Sequence, residues 1–191
     1  RVTIYEASPE LGGMMRYGIP EYRLPRGILD KDINFIIRGA GIEIKADTRV
    51  EDLDKLFKNG YDVILLAIGA QRSVTLGIRN DDLTLDCLSY LRDTSMGKRL
   101  NLGEKVAIIG GGNASVDAAR TAIRLGSKEV VILYRRSWDE MPANPIEVKE
   151  AINEGIDIRF LVAPAKIKKK NNGFILESTR MMLSERDASG R

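Results

Sequence analysis

Residues 105–136 read KVAIIGGGNASVDAARTAIRLGSKEVVILYRR, and the fold is decided there. Val106, Ala107, Ile108 and Ile109 form a short apolar run, rich in β-branched side chains, that ends at Gly110, Gly111 and Gly112. Such a run predicts a buried parallel strand stopping at a tight turn. Residues 113–125 follow as a helix of small and straight-chain residues, closed by Gly126. A second apolar run, Val130 to Leu133, ends in Tyr134, Arg135 and Arg136. Strand, glycine turn, helix and strand in about thirty residues make the first βαβ unit of a dinucleotide-binding domain.

The residue types at the turn have separate physical reasons. Gly110 lets the chain leave the strand sharply, and Gly112 lets backbone N–H groups approach a pyrophosphate. Ser115 takes a third position that must be small for helix and strand to pack, where Gly or Ala is usual. Ala114, Ala118 and Ala119 keep the helix slim beside the sheet. The helix start adds unpaired N–H groups and the positive end of its dipole. The pattern alone also occurs in ordinary loops; here a strand precedes it and a helix follows it.

The end of the second strand selects the nucleotide. An NAD site places a carboxylate there for the ribose 2′-hydroxyl. This chain places Arg135 and Arg136, whose guanidiniums match a 2′-phosphate with forked, charge-assisted hydrogen bonds. NADP is therefore preferred over NAD. Paired arginines at a strand end can also be plain solvated charge, and it is their place after this turn that argues otherwise.

Composition narrows the chemistry. The 191 residues suffice for one domain or two small ones, with 43% hydrophobic and 30% charged residues. A net charge of +3 does not argue for nucleic acid, and Lys166, Lys168, Lys169 and Lys170 read as the solvated face of a strand. No run approaches membrane-spanning length and no signal peptide is visible, so the expectation is a cytoplasmic protein. Cys87 is the one cysteine and histidine is absent, which excludes a CxxC redox pair, an iron–sulfur ligand set, histidine general-base catalysis and the common zinc constellations on this chain.

Outside the central unit, residues 1–6 read as a strand ending at Glu6. Position alone favours a surface carboxylate there; the other reading is an acid holding an adenosine ribose in a second nucleotide-binding unit. Residues 8–25 are dense in Gly and Pro and read as a loop, yet carry enough apolar side chains to pack on something flat. A helix is expected over 28–39 with Ile28, Leu29, Ile33, Ile36 and Ile37 on one side, a strand over 41–45 and a short helix over 50–57. Residues 61–68 form a continuous apolar run, read as a buried strand that ends at Gly69. A short helix over 84–92 lies in a linker. Beyond the arginines, residues 137–145 form a loop placed to fold over a nucleotide, then come a helix over 146–154, a strand over 156–160 and a hairpin turning at 171–173. Residues 184–191 read as a disordered polar tail.

Three stretches carry a resemblance: ELGGMMRYGIPEYRLP at 10–25, VAIIGGGNASVDAARTAIRLG at 106–126 and VVILYRRSWDEMPANPIEVKEAINEGI at 130–156. In content, order and spacing the chain resembles the glutamate synthase small-subunit family of FAD- and NADPH-dependent oxidoreductases, to which the flavin module of dihydropyrimidine dehydrogenase is related. The resemblance implies an NADPH domain inserted into a two-part FAD domain. It implies Glu6 at the FAD ribose, Gly12, Gly13 and Arg23 along the FAD, and Gly69 closing that site. It implies Gly111, Gly112, Asn113 and Ala114 at the NADPH pyrophosphate and Arg135 and Arg136 at its 2′-phosphate.

The expected architecture is thus α/β: a Rossmann-like three-layer NADPH-binding domain over 79–191 with its last strand missing, plus a partial FAD-binding domain over 1–78. The expected activity is electron transfer from NADPH through FAD to an iron–sulfur centre or a partner subunit. The alternative is a non-catalytic NADP-binding regulatory or sensor module. No acid, base or nucleophile stands out. The FAD glycine loop expected before Arg1 is absent from the sequence, so this stretch is read as a fragment that does not retain FAD alone and that self-associates through exposed apolar surface.

Overall fold

The computed structural model describes residues 1–39, 41–171 and 173–183. The chain divides into two compact units, Arg1–Arg72 and Ser73–Arg191. The expected polar tail at 184–191 lies outside the described residues. No described helix is long and apolar enough to cross a membrane.

In the first unit, β1 (Val2–Tyr5) pairs in parallel with β2 (Ile42–Lys45), Val2 opposite Ile42 and Tyr5 opposite Lys45. Parallel strands need a crossover, and α1 (Gly13–Tyr17) and α2 (Arg26–Ile37) lie in it. The region read as loop over 8–25 therefore contains a helix. Five residues are too few to show a 3.6-residue period. The helix is held instead by its buried end: the Arg16 guanidinium donates to the Leu11 carbonyl at 2.5 Å and pairs with Glu10 at 2.8 Å and with Asp30 of α2. Helix α2 covers Leu29, Ile33 and Ile37, while Ile28 and Ile36 of the expected face are exposed. A short α3 (Leu53–Lys58) is capped by the Asp52 carboxylate, which accepts from the Asp54 amide at 2.9 Å.

The run at 61–68 departs from expectation. It forms no strand, and Val63, Leu65 and Ile68 are 81%, 88% and 76% exposed. The Tyr61 hydroxyl meets that of Tyr5 at 3.1 Å, so the run starts beside β1, but no ladder follows. A continuous apolar run states that a strand requires neighbours on both sides; it does not supply them.

The second unit is built on a parallel sheet. β3 (Lys105–Ile109), β4 (Glu129–Tyr134) and β5 (Asp157–Phe160) lie in the order β3-β4-β5. Register runs Lys105 opposite Glu129 and Val131 opposite Asp157. The helix α4 (Cys87–Ser95) precedes β3; α5 (Asn113–Arg124) links β3 to β4, and α6 (Pro145–Asn153) links β4 to β5. This is the Rossmann-like α/β arrangement. β4 is central and has the most completely buried side chains of the sheet, with Ile132 fully covered. Val116, Ala119 and Ala122 of α5 pack with Val130, Ile132, Val148 and Ala151, and Ala118 packs with Tyr90 and Leu91 of α4. The small residues let α5 approach the sheet closely.

The hairpin follows as β6 (Val162–Lys170) and β7 (Gly173–Arg180), antiparallel, with an irregularity between Pro164 and Lys166. It is tied back to the segment before α4, since Asn80 donates to the Ile167 carbonyl at 2.8 Å and the Ile167 amide to the Arg79 carbonyl at 3.1 Å.

One charged cluster fastens α5 to α6. Arg120, only 7% exposed, reaches Glu147 at 2.6 Å, Glu150 at 2.8 Å and Glu154 at 2.8 Å, and Arg124 joins Glu154 at 2.7 Å. Hydrogen bonds from Arg124, then Arg120, hold the Glu154 carboxyl down to about 2 from an ordinary 4.5. A depressed carboxyl stabilises the fold fully above its unfolded value and loses that contribution as pH falls towards the folded value. Acid unfolding followed by circular dichroism should therefore show stability falling between about pH 4.5 and 2, with a smaller fall in Glu154→Gln. Arg120→Met should cost about 3 kcal/mol in denaturant titrations, because it removes the buried cation that Glu147, Glu150 and Glu154 share, while Arg124 still holds Glu154.

Candidate nucleotide-binding site

The glycine turn closes the gap between β3 and α5. The Gly110 amide continues the ladder to the Leu133 carbonyl at 3.0 Å, and the chain then turns with Gly110 at φ 138°. A Cβ on Gly110 would lie 2.4 Å from the Ser115 hydroxyl, so the first and third positions of the motif touch. Ser115 is buried, as a small third residue should be. A Cβ on Gly111 would lie 2.5 Å from ring carbons of Tyr134, the last residue of β4. Gly110 and Gly111 are thus required by the protein's own packing.

Gly112 differs. Its φ of −88° suits any residue, and a Cβ there would meet nothing within 4 Å. It caps α5, with no side-chain hydrogen bond at the cap. The protein leaves open space over this helix start, where backbone N–H groups and the dipole favour an anion. Asn113 and Ala114 open the helix, both exposed. The Asn113 side chain is already used: its Oδ1 accepts from the Asn144 amide at 2.8 Å.

That bond and a second one, from the Ala143 amide to the Gly111 carbonyl at 3.0 Å, pin the loop at 137–145 to the glycine turn. The loop is anchored at its other end by the Tyr134 hydroxyl, which donates to the Glu140 carbonyl at 2.6 Å. The Ser137 amide and hydroxyl both donate to the Glu140 carboxylate, at 3.1 and 2.5 Å, and this hydroxyl contact leads the forces that hold Glu140 below the usual carboxylate range.

Arg135 is exposed and Arg136 half-buried at the end of β4. Among the described residues neither guanidinium has a hydrogen bond or ion pair; Arg136 feels the Glu140 charge. The Arg136 carbonyl accepts from the Leu161 amide at 3.1 Å. Leu161 has φ 57°, a left-handed conformation that costs a branched side chain energy. It turns the chain from β5 into β6 and fixes the backbone at the arginine pair. No sequence signal marks Leu161 or the Tyr134 ring beneath Gly111, since leucine is not a turn residue and the tyrosine reads as one more apolar strand position.

The other expected positions lie in the first unit. Glu6 follows β1; one carboxylate oxygen accepts from the Ser8 amide at 2.7 Å, and the other has no protein donor among the described residues. Gly12 and Gly13, at φ 122° and 50°, open α1, and a Cβ on Gly12 would press on Leu29 at 3.2 Å. Arg23 is half-buried before α2, its amide bonded to the Pro20 carbonyl at 3.0 Å. Gly69, at φ 66°, sits in the exposed stretch beyond the unpaired run, not at the end of a strand.

Residues 4–188 match the model of the pyridine nucleotide-disulphide oxidoreductases. The chain belongs to that family. Its relatives include the NADPH-Fe(3+) oxidoreductase subunit beta of Geobacter sulfurreducens, 42% identical over 99% of this chain and 30% of that protein. They also include the glutamate synthase (NADPH) small chain of Escherichia coli, 31% identical over all of this chain and 44% of that one. The likeness read from the three sequence stretches is borne out by the latter. This pyridine nucleotide-disulphide oxidoreductase chain thus spans less than half the length of these relatives. The fold matches Mycobacterium tuberculosis FprA, solved in complex with NADPH, at a TM-score of 0.82 and 18% identity, over all of this chain and 58% of that one.

Disulphide chemistry, which the family name carries, needs a reactive thiol pair, and this chain has Cys87 alone. Burial, then the Asp86 and Asp117 carboxylates, pushes that thiol up to about 11. Iodoacetamide at pH 8 should label it about a hundredfold more slowly than a free cysteine, whose pKa is near 8.5, with full reactivity after denaturation. Thermal melts should separate the glycines. Gly111→Ala should lose about 1–3 kcal/mol through overpacking on Tyr134, whereas Gly112→Ala should melt like the wild type and weaken nucleotide binding.

Proposed function

We propose that this chain is the NADPH-binding part, together with a portion of the FAD-binding part, of an oxidoreductase that passes electrons from NADPH through FAD to an iron–sulfur centre or a partner subunit. The observation that carries the reading is the pairing of an open, anion-favouring helix start at Gly112 with two guanidiniums unpaired among the described residues at the end of β4. The first suits a pyrophosphate and the second a 2′-phosphate. The names of the relatives support it: one is an NADPH-Fe(3+) oxidoreductase subunit and another an NADPH glutamate synthase chain.

In this reading residues 79–191 bind NADPH and residues 1–78 contribute to the flavin site. Gly110, Gly111, Gly112, Asn113, Ala114 and Ser115 form the pyrophosphate turn. Gly110, Gly111 and Ser115 shape it, Gly112 leaves room, and Asn113 ties the turn to the loop that follows β4. Glu6 has a carboxylate oxygen with no donor among the described residues, able to accept from a ribose hydroxyl, the role an acid takes after a strand of a nucleotide-binding unit. Gly12, Gly13, Arg23 and Gly69 would line the same cofactor. FAD, when bound, supplies the hydride-accepting and electron-passing chemistry, and the protein orients the two nucleotides.

The arginine pair decides between NADPH and NADH. Each charge-assisted contact contributes about 1.5–3 kcal/mol, and about 1.4 kcal/mol is tenfold in affinity. The double variant Arg135→Ala/Arg136→Ala should bind NADPH roughly ten- to a few hundredfold more weakly and NADH almost unchanged. Titration of both proteins with both nucleotides measures this. Equal losses for the two nucleotides, or no loss for either, would refute the assignment.

A further inference from the structure

Two residues beyond the arginine pair stands Trp138, the one tryptophan of the chain. The residue is 39% exposed. It is not a mobile side chain on a loose loop. The Ser137 amide and hydroxyl are bound to Glu140, and the Met141 amide donates to the Trp138 carbonyl at 3.1 Å, so 137–141 form a closed turn. That turn is fastened to β4 through the Tyr134 hydroxyl. Behind the indole lies Phe160 of β5, ring centroids 6.0 Å apart and edge-on at 64°, and behind Phe160 lies Tyr134 at 6.5 Å and 83°. Three aromatic rings thus run from the buried end of the central strand to the surface, and the outermost keeps an open side. A large apolar side chain held half-exposed by this much structure calls for a ligand with a flat, apolar face.

The covalent chemistry of the nucleotide says which face arrives. In NADPH the 2′-phosphate and the adenine sit on adjacent carbons of one ribose. A phosphate bound at Arg135 and Arg136 therefore brings the base within one sugar's reach of the residues that follow them. We propose that Trp138 is the adenine platform of this site, its indole stacking on the base of the ribose whose 2′-phosphate the arginines hold. This rests on the NADPH reading above and extends it to a residue that recognises the base rather than the phosphate. The division of labour follows: the arginines discriminate NADPH from NADH, and Trp138 strengthens both alike, since both carry adenine.

The test uses the chain's own fluorescence and two half-nucleotides. Adenosine 2′,5′-bisphosphate carries the base and the 2′-phosphate without nicotinamide; reduced nicotinamide mononucleotide carries neither. The bisphosphate should quench the tryptophan emission and the mononucleotide should not. Base–aromatic stacking predicts that Trp138→Ala weakens NADPH, NADH and the bisphosphate by a common factor of about five- to a hundredfold. Trp138→Phe, which keeps a ring on the turn, should recover most of the loss, and equal melting temperatures of the two variants exclude unfolding as the cause. Unchanged emission at saturating bisphosphate, with Trp138→Ala binding as tightly as wild type, would overturn the platform. If the arginine variant still lost its NADPH preference in that case, the NADPH reading would stand and only the role of Trp138 would fall. Failure of the wild type to bind either nucleotide would remove both.

Discussion

The contact between Gly111 and the ring of Tyr134 is the constraint from which the second unit's arrangement follows. A hydrogen atom is all that fits where any side chain would begin. Because the turn can lie on the end of β4, the Gly110 amide reaches the Leu133 carbonyl and the ladder runs to the last residue before the turn. Because Ala119 and Ala122 are fully buried, α5 follows the turn back along the sheet without being pushed away. The helix start is then delivered beside the strand end that carries Arg135 and Arg136. Strand end and helix start form one rim because the packing between them leaves no slack.

Arginine does two kinds of work in this chain. Arg120 is enclosed by three glutamates and joins two helices, and Arg16 is enclosed by Glu10 and Asp30 and closes a one-turn helix. Both have their charge answered within the fold. Arg135 and Arg136 have no ion pair among the described residues, and Glu140, the loop carboxylate whose charge Arg136 feels, is occupied by Ser137. A guanidinium with its donors unmet at the end of a rigid strand is available to an outside anion in a way that Arg120 is not.

The first unit follows the same grammar with fewer partners. β1 and β2 pair in parallel around a helical crossover, and Glu6 ends its strand with a carboxylate oxygen unused by described donors. The apolar run at 61–68 starts beside β1 through the Tyr5–Tyr61 contact and then lies exposed. Strand character there is a property of side chains that require neighbours, and the ladder depends on those neighbours being present.

The parallel βαβ core, the glycine turn and the arginine pair are legible in the amino-acid sequence alone, because it writes each in local terms: β-branched runs that want burial, glycines where a turn needs them, a charge pattern at a strand end. It also determined the hairpin and most of the helices to within a few residues. Three things were decided by tertiary structure. The one-turn helix at Gly13–Tyr17 exists because the Arg16 side chain finds an acid on α2, a partner fourteen residues away. The strand at 61–68 is absent because pairing is a property of two segments and a sequence shows one at a time. The rim around Arg135 is set by Leu161, Tyr134 and Phe160, which read as plain apolar residues until the fold puts a left-handed turn and a stack of rings beside the arginines. Local composition encodes what each segment requires; only the folded chain brings together residues distant in sequence and decides which requirements are met.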